Sequence, residues 1–294
     1  MTLPQASTHR LTAPDGHPID VHAWTAARPA RAVVQIAHGM GEHARRYQAL
    51  AEALARVGVA VYANEHRGHG EEALRRQEKG DLGPRGFAGL VADMRQVSDF
   101  AQARHPGVPL ILIGHSMGSF AVKVYLLDHA ERVAAAAFTG TVALDLAEAG
   151  NASAWKLQDK APVLAPVRRT PYDWLSRDEA QVDAYIADPL CGHRLNVKSR
   201  QSMYAAYART TAPGAFKVLP RQMPLFFFVG EEDAMHRRLA YFHPLVERFR
   251  SVGMDDITIK VYPGARHELL HETHRHEVIA DVVAWVERVI ATVA

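Results

Sequence analysis

The chain has 294 residues, 48% of them hydrophobic, which is enough for one large domain with a substantial core and an inserted subdomain. With 34 basic against 32 acidic residues the net charge is only +2, so nothing points to nucleic acid or to an acidic partner. One cysteine, Cys191, excludes an intramolecular disulfide, residues 1–20 lack a signal-peptide core, and no window approaches the ~20 apolar residues of a membrane span; a cytoplasmic, soluble protein is expected.

Taken in chain order, two short strands are expected at 9–11 and 19–24, with Pro14-Asp-Gly16 as the turn between them. Residues 32–37, Ala-Val-Val-Gln-Ile-Ala, read as a buried strand. A helix follows with Tyr47, Leu50, Leu54 and Val57 on one face, then a strand at 59–63. A glycine-rich loop of about 20 residues leads to a helix with Phe87, Leu90, Val91, Met94 and Val97 inward. Residues 110–113 form the next strand, 117–129 a helix and 133–138 a further strand. This alternation of strand and helix predicts an α/β protein with a mostly parallel central sheet and helices on both faces.

From about 141 to 213 the alternation stops. Pro162, Pro166, Pro171 and Pro189 separate short helical pieces that carry Trp155, Trp174, Tyr185, Met203, Tyr204 and Tyr207. These residues read as an inserted helical cap, leaving 1–140 and 214–294 as the core domain. The cap aromatics are expected to form its own small core, with the lining of an acyl pocket as the alternative. The sheet pattern resumes at 224–229, a helix lies within 238–252, a last strand spans 257–261, and a terminal helix carries Val278, Val282, Val286, Val289 and Val293 as one stripe.

The stretch 110–120 organises the rest. Four β-formers reach Gly114, the chain turns at Ser116, and a helix follows: G-x-S-x-G at a strand-to-helix turn. Gly114 and Gly118 let neighbouring backbone approach a nucleophile held on a strained turn. The strands of a parallel sheet end at a common edge, where ligands bind. Beyond the other strand ends stand His38-Gly-Met-Gly-Glu-His43, Gly230-Glu-Glu-Asp233 and Tyr262-Pro-Gly-Ala-Arg-His267. The chain order Ser, Asp, His is that of an α/β-hydrolase. His267 is expected to act as base on Ser116, with Asp233 fixing its tautomer; the oxyanion hole is expected from the backbone N–H groups of Met40 and Met117, with His38 and Gly39 in the supporting loop. Glu231 and Glu232 compete for the acid role, whereas Asp255 and Asp256 precede a strand and fall at the opposite edge. Residues 65–70, Glu-His-Arg-Gly-His-Gly, read as a structural turn beneath the catalytic loops, His115 as a spectator, and most of the 17 histidines as solvated.

A competing pattern overlaps. Residues 267–271 are literally H-E-x-x-H, the helical zinc signature, with His274 or His276 as a third ligand. Against it, His267 follows a Pro-Gly loop with no helix leading in. Under the serine reading Glu268 and His271 are ordinary residues in the first turn of a helix, and no metal or cofactor is needed.

The motifs at 38–43, 67–70, 114–118 and 262–268 resemble the monoacylglycerol lipase and lysophospholipase branch of the α/β-hydrolases, and segments 174–179 and 188–192 are similar to bacterial members of that branch. The resemblance runs from about residue 10 to the end. It implies hydrolysis of a carboxylic ester, a single-chain lipid such as a monoacylglycerol or lysophospholipid. It carries over Ser116, Asp233 and His267 as the triad and the amides of Met40 and Met117 as the oxyanion hole. A lipid or ester is then the small-molecule partner, with transient membrane or micelle contact through the cap; oligomeric state is left open. Two departures stand near the site: Glu65 where the family usually has Asp, and Ala234-Met-His-Arg-Arg238 where many relatives continue with Pro-Val. The family shades into serine peptidases and thioesterases, and Asp178, Glu179 and Asp183 could read a substrate ammonium. A non-catalytic receptor would have lost a triad member, and none is missing.

Overall fold

The computed structural model describes residues 5–25, 29–150 and 169–293. Eight strands form one sheet in the order β1-β2-β4-β3-β5-β6-β7-β8. They are β1 (Gln5–Thr12), β2 (Pro18–Thr25), β3 (Ala32–Ala37), β4 (Val59–Asn64), β5 (Leu110–His115), β6 (Ala135–Thr139), β7 (Leu225–Gly230) and β8 (Ile257–Tyr262). The first two pair antiparallel, β2 pairs antiparallel with β4, and every later pairing is parallel. All residues of β3, β4, β5, β6 and β7 are buried, which explains why these strands read as unbroken apolar runs rather than alternating ones.

Alternate residues of each central strand feed two cores on opposite faces. Val33, Leu110 and Leu112 join Leu90, Met94 and Val97 of α3 (Gly86–Arg104) and Phe120 and Val124 of α4 (Met117–His129). On the other face Val34, Ile36, Ile111 and Ile113 meet Leu50 and Leu54 of α1 (Gln48–Arg56) and the helix 275–293. Four valines of that last helix, 278, 282, 286 and 289, are fully buried, as their spacing requires. The polar residue of β3, Gln35, is satisfied in the core: it donates to Met94 O at 2.9 Å and accepts from Ser98 Oγ at 2.6 Å.

Three differences from the sequence reading stand out. The glycine-rich loop contains a short helix, α2 (Gly70–Arg76), whose exposed residues hid its period. The first two strands run longer than expected, because a polar edge hairpin carries little apolar signal. Within the insertion after β6, α5 (Leu144–Gly150), α6 (Glu179–Ala187) and α7 (Val197–Ala208) are described; Trp155, Pro162 and Pro166 lie outside the described residues. Met203 and Tyr207 of α7 belong to the main core, and only Leu175, Tyr185 and Cys191, with Tyr172 and Trp174 against them, form a small cluster of their own. Beyond β7, α8 (His243–Arg250) and α9 (Arg275–Val293) complete the helices. Among the described residues no helix is long and apolar enough to cross a membrane.

Candidate active site

The chain leaves β3 toward β4 on one side of the sheet and returns to β5 on the other, so the carboxyl ends of β3 and β5 flank a crevice. The loop after β3 and the turn after β5 both meet there. Ser116 sits at that turn with φ 50° and ψ −118°, a left-handed conformation that costs energy for a residue with a Cβ. Its N–H is tied to Thr139 O at the end of β6 at 3.0 Å. A Cβ on Gly118 would lie 2.0 Å from Ala37 O, so the helix behind the serine can sit against β3 only with glycine there. A Cβ on Gly39 would lie 3.3 Å from Ser116 Cβ, which measures how closely the β3 loop approaches the serine.

Asp233, just past β7, and His267, just past β8, are both buried, and His267 Nδ1 donates to Asp233 Oδ2 at 2.8 Å. Burial alone would drive the imidazole pKa down; the carboxylate and its hydrogen bond outweigh that and raise it above the ordinary 6.5. Asp233 shows the reciprocal effect. Burial pushes its pKa up, the imidazole of His267 more than reverses this, and the carboxyl settles at about 2. Asp233 Oδ1 also accepts from Met235 N at 2.8 Å, which fixes the carboxylate plane. Glu231 points elsewhere, accepting from Gly264 N, and Asp256 pairs with Arg288 at the opposite edge. Ser116 Oγ and His267 Nε2 are not hydrogen-bonded, a contact that commonly tightens only with substrate in place.

The loop 38–43 is held by side chains. His38 Nδ1 donates to Gly39 O at 2.8 Å, while its Nε2 accepts from His66 N at 3.0 Å. Glu42 Oε1 accepts from Gly39 N at 2.5 Å and from Tyr47 Oη at 2.7 Å. His69 Nε2 accepts from Gly41 N at 3.2 Å, and Tyr185 Oη donates to Gly41 O at 2.8 Å. Both neighbours of Met40 are therefore committed. The N–H groups of Met40 and Met117 have no partner among the described residues. Burial lowers the pKa of both His38 and His69, so each stays a neutral imidazole with one donor and one acceptor.

The expectation of solvated histidines is wrong. His38, His43, His66, His69, His115, His236 and His267 are buried, and only His243 and His276 are exposed. Burial lowers the pKa of His38, His66, His69, His115 and His236, and His38 and His69 serve as hydrogen-bonding rings around the loops, a role no sequence period reveals. His115 lies 4.8 Å from His267 between ring centroids, and Trp174 from the insertion lies at the same distance, tilted by 40°. Residues 65–70 do support the site: His69 holds Gly41, and Glu65 bonds His22 at 3.0 Å.

Glu268 and His271 also depart from expectation. A short 3₁₀ turn, Leu269–His271, stands where a helix start was expected, and α9 begins only at Arg275. Glu268 is buried and paired bidentately with Arg46, at 2.8 and 2.7 Å, and Arg46 also donates to Glu42 Oε2 at 2.9 Å. His271 turns to the Arg46 carbonyl instead of to His267. The H-E-x-x-H residues thus diverge, and the helical geometry that a zinc signature requires is missing. The insertion's acids are likewise taken: Asp178 caps α6 and pairs with Arg275, while Asp183 and Glu179 face Arg169.

Residues 28–274 match the family described as serine aminopeptidase, S33. The chain is 32% identical over 290 residues to a monoacylglycerol lipase of Mycolicibacterium smegmatis, covering 95% of this chain and 96% of that one. It is 30% identical over 304 residues to the monoglyceride lipase of Homo sapiens, covering 99% and 94%. Among solved structures, a thermostable carboxyl esterase from Bacillus coagulans superposes with a TM-score of 0.85 at 23% identity, covering 99% of this chain and all of that one. A soluble variant of monoglyceride lipase from Saccharomyces cerevisiae superposes at 0.75 with 18% identity, covering 98% and 96%. These two likenesses concern the fold.

Proposed function

The chain belongs to the serine aminopeptidase S33 family of α/β-hydrolases, and from that premise we propose that it is a serine ester hydrolase acting on single-chain lipids, a monoacylglycerol or a lysophospholipid. The observation that carries the reading is the buried Asp233–His267 hydrogen bond at the sheet edge where Ser116 stands on its strained turn. In this reading His267 Nε2 takes the Ser116 proton as Oγ attacks the ester carbonyl. The oxyanion accepts from the Met40 and Met117 amides, the alcohol leaves with the proton from His267, and water resolves the acyl-enzyme by the same steps in reverse. No cofactor enters. Residues 141–213 act as the cap, and Trp174 beside His267 is the group through which the cap would bear on the substrate.

A serine aminopeptidase on the same triad is the second reading. It needs an acid free to hold the substrate's ammonium, and the pairing of Asp178, Glu179 and Asp183 with arginines favours the ester. A reducing, cytoplasmic setting is consistent with the single Cys191.

The test is hydrolysis of nitrophenyl esters of graded acyl length and of aminoacyl anilides, by wild type and by Ser116→Ala. Wild type should turn over esters with a chain-length optimum, and Ser116→Ala should lose roughly 10⁴–10⁶-fold in kcat while keeping the fold. Near-native turnover by Ser116→Ala would sink the mechanism; preference for the anilides would move the substrate class to peptides.

A further inference from the structure

Outside the triad, three side chains of metal-ligating type converge where the insertion meets the loop after β3. A ring nitrogen of His43, a carboxylate oxygen of Asp188 and Cys191 Sγ all lie within 4.8 Å of one another, the only such group among the described residues. His43 and Cys191 are buried, and Asp188 is half-buried. His43 Nε2 contacts Asp188 Oδ2 at 2.9 Å, while Nδ1 is buried with no partner among the described residues. Leu190 N donates to Asp188 Oδ1 at 2.8 Å and Cys191 N to Asp188 O at 3.0 Å, so Asp188 and Cys191 are set on one tight turn.

We propose that His43, Asp188 and Cys191 form a binding site for a zinc-class divalent cation that fastens the insertion to the loop 38–43. The donor set of one imidazole, one thiolate and one carboxylate suits zinc, with a fourth position left for water. Ligand atoms around tetrahedral zinc stand about 3.5 Å apart, given bond lengths of about 2.0–2.3 Å. The present separations need contract by little more than an ångström. Charge allows it. Arg46 is nearby, but Glu42 and Glu268 take up its charge at 2.9 and 2.7 Å. On binding, the Cys191 thiol gives its proton to solvent and the sulfur–metal bond forms, with no change of oxidation state.

Such a metal would tie Asp188 and Cys191 to His43, three residues beyond Met40. Metal binding itself does not depend on the ester-hydrolase reading; the effect on turnover does. The experiment uses tag-free protein, stripped with EDTA and titrated with Co²⁺, whose thiolate complexes absorb in the near ultraviolet. A thiolate-to-cobalt band that saturates at one equivalent, is displaced by Zn²⁺ and is absent from the near-isosteric Cys191→Ser supports the site. So does an affinity at least tenfold weaker in Asp188→Asn. No thiolate band in wild type, or an unchanged band in a folded Cys191→Ser, overturns the site. Ester hydrolysis should slow when Zn²⁺ fills the wild-type site and stay unchanged in Cys191→Ser. Full turnover with the site occupied overturns the fastening of the insertion to the loop.

Discussion

The two sides of Ser116 are built by different means. On one side Asp233 and His267 bring their own functional groups and face each other at 2.8 Å. On the other the group proposed to act is a peptide N–H, that of Met40, which any residue but proline would supply. What distinguishes it is its surroundings: Glu42 takes the amide of Gly39 and His69 that of Gly41, leaving the one between them unclaimed. Side-chain chemistry is written in residue type, whereas backbone chemistry is written in what the neighbours remove. The comparison predicts that the two sides fail differently when broken.

Of the changes that separate the two sides, Asp233→Asn should have the larger effect. The amide keeps the shape but no longer favours the imidazole tautomer or the imidazolium, so kcat should fall by about 10³–10⁴-fold. The pH dependence supplies an independent check. His267 must be neutral to act as base, and its pKa lies above 6.5, so the acid limb of kcat/KM in wild type belongs above 6.5. Without the carboxylate the downward pull of burial is opposed only by the weaker fields of Glu268 and Glu42, and the limb should move to lower pH. Stability follows the same pair. The depressed Asp233 stabilises the fold above its ordinary 3.8, an effect lost as pH falls toward about 2. The raised His267 stabilises it below 6.5, and this contribution fades as pH climbs through the raised value. Both contributions are present together between those two ordinary values, so the variant's stability deficit should be largest there and shrink on either side. A limb that stays in place would mean that Asp233 does not set the imidazole.

Glu42→Gln should break the other side more gently. Its carboxylate joins Gly39 N, Tyr47 and Arg46, and an amide would turn a donor toward at least one of these donors. The amide of Met40 would drift, costing kcat roughly 10–100-fold with KM changed much less, because an oxyanion donor acts in the transition state. The acid limb should move far less than in Asp233→Asn, because Glu42 raises the His267 pKa more weakly than Asp233 does. Steady-state kinetics of the two variants side by side decide the matter: an acid limb shifted as far in Glu42→Gln as in Asp233→Asn, or a loss confined to KM, would erase the distinction between the two sides.

The same distinction explains what could be read from the sequence. The parallel sheet was legible because buried strands such as Leu225–Gly230 are apolar throughout, and Ser116, Asp233 and His267 were legible because strand ends meet at one edge. Met40 and Met117 could be placed only by their position after β3 and Ser116. Their guardians could not be named: His69, Tyr185 and Trp174 reach the site from 28 to 144 residues away along the chain, and no spacing marks them. Glu268 was misread because its partner Arg46 lies 222 residues distant. The pattern H-E-x-x-H misled for the same reason, since the letters say nothing of a 3₁₀ turn that splays the two histidines.

Behind the serine lies a third buried polar group, and it should matter least to turnover. Lys123 is fully buried, its Nζ donating to Thr141 Oγ1 at 2.7 Å, and the Thr141 and Ser119 hydroxyls share a hydrogen bond at 2.9 Å. Ser119 in turn donates to Ser116 O at 2.6 Å, so a polar chain links the amine to the elbow. The elbow is nonetheless fixed without it, by the bond of Ser116 N to Thr139 O and by the contact of Gly118 with β3. Burial, with some repulsion from Arg248, depresses the amine well below its ordinary 10.5. Between the depressed value and 10.5 the folded state binds fewer protons than the unfolded state, so this group opposes folding there and the cost shrinks as pH rises toward 10.5. Lys123→Met keeps the length and removes that cost. Stability at pH 7 should rise by about 1–3 kcal/mol, and the gain over wild type should narrow at pH 10. Ester turnover should stay within about twofold of wild type. Urea unfolding at the two pH values measures the first claim, and a gain that does not narrow would show that the amine is charged in the fold. A large loss of kcat would instead make the polar chain part of the elbow's machinery, and the serine would then be held from behind by side chains much as Met40 is held from both flanks.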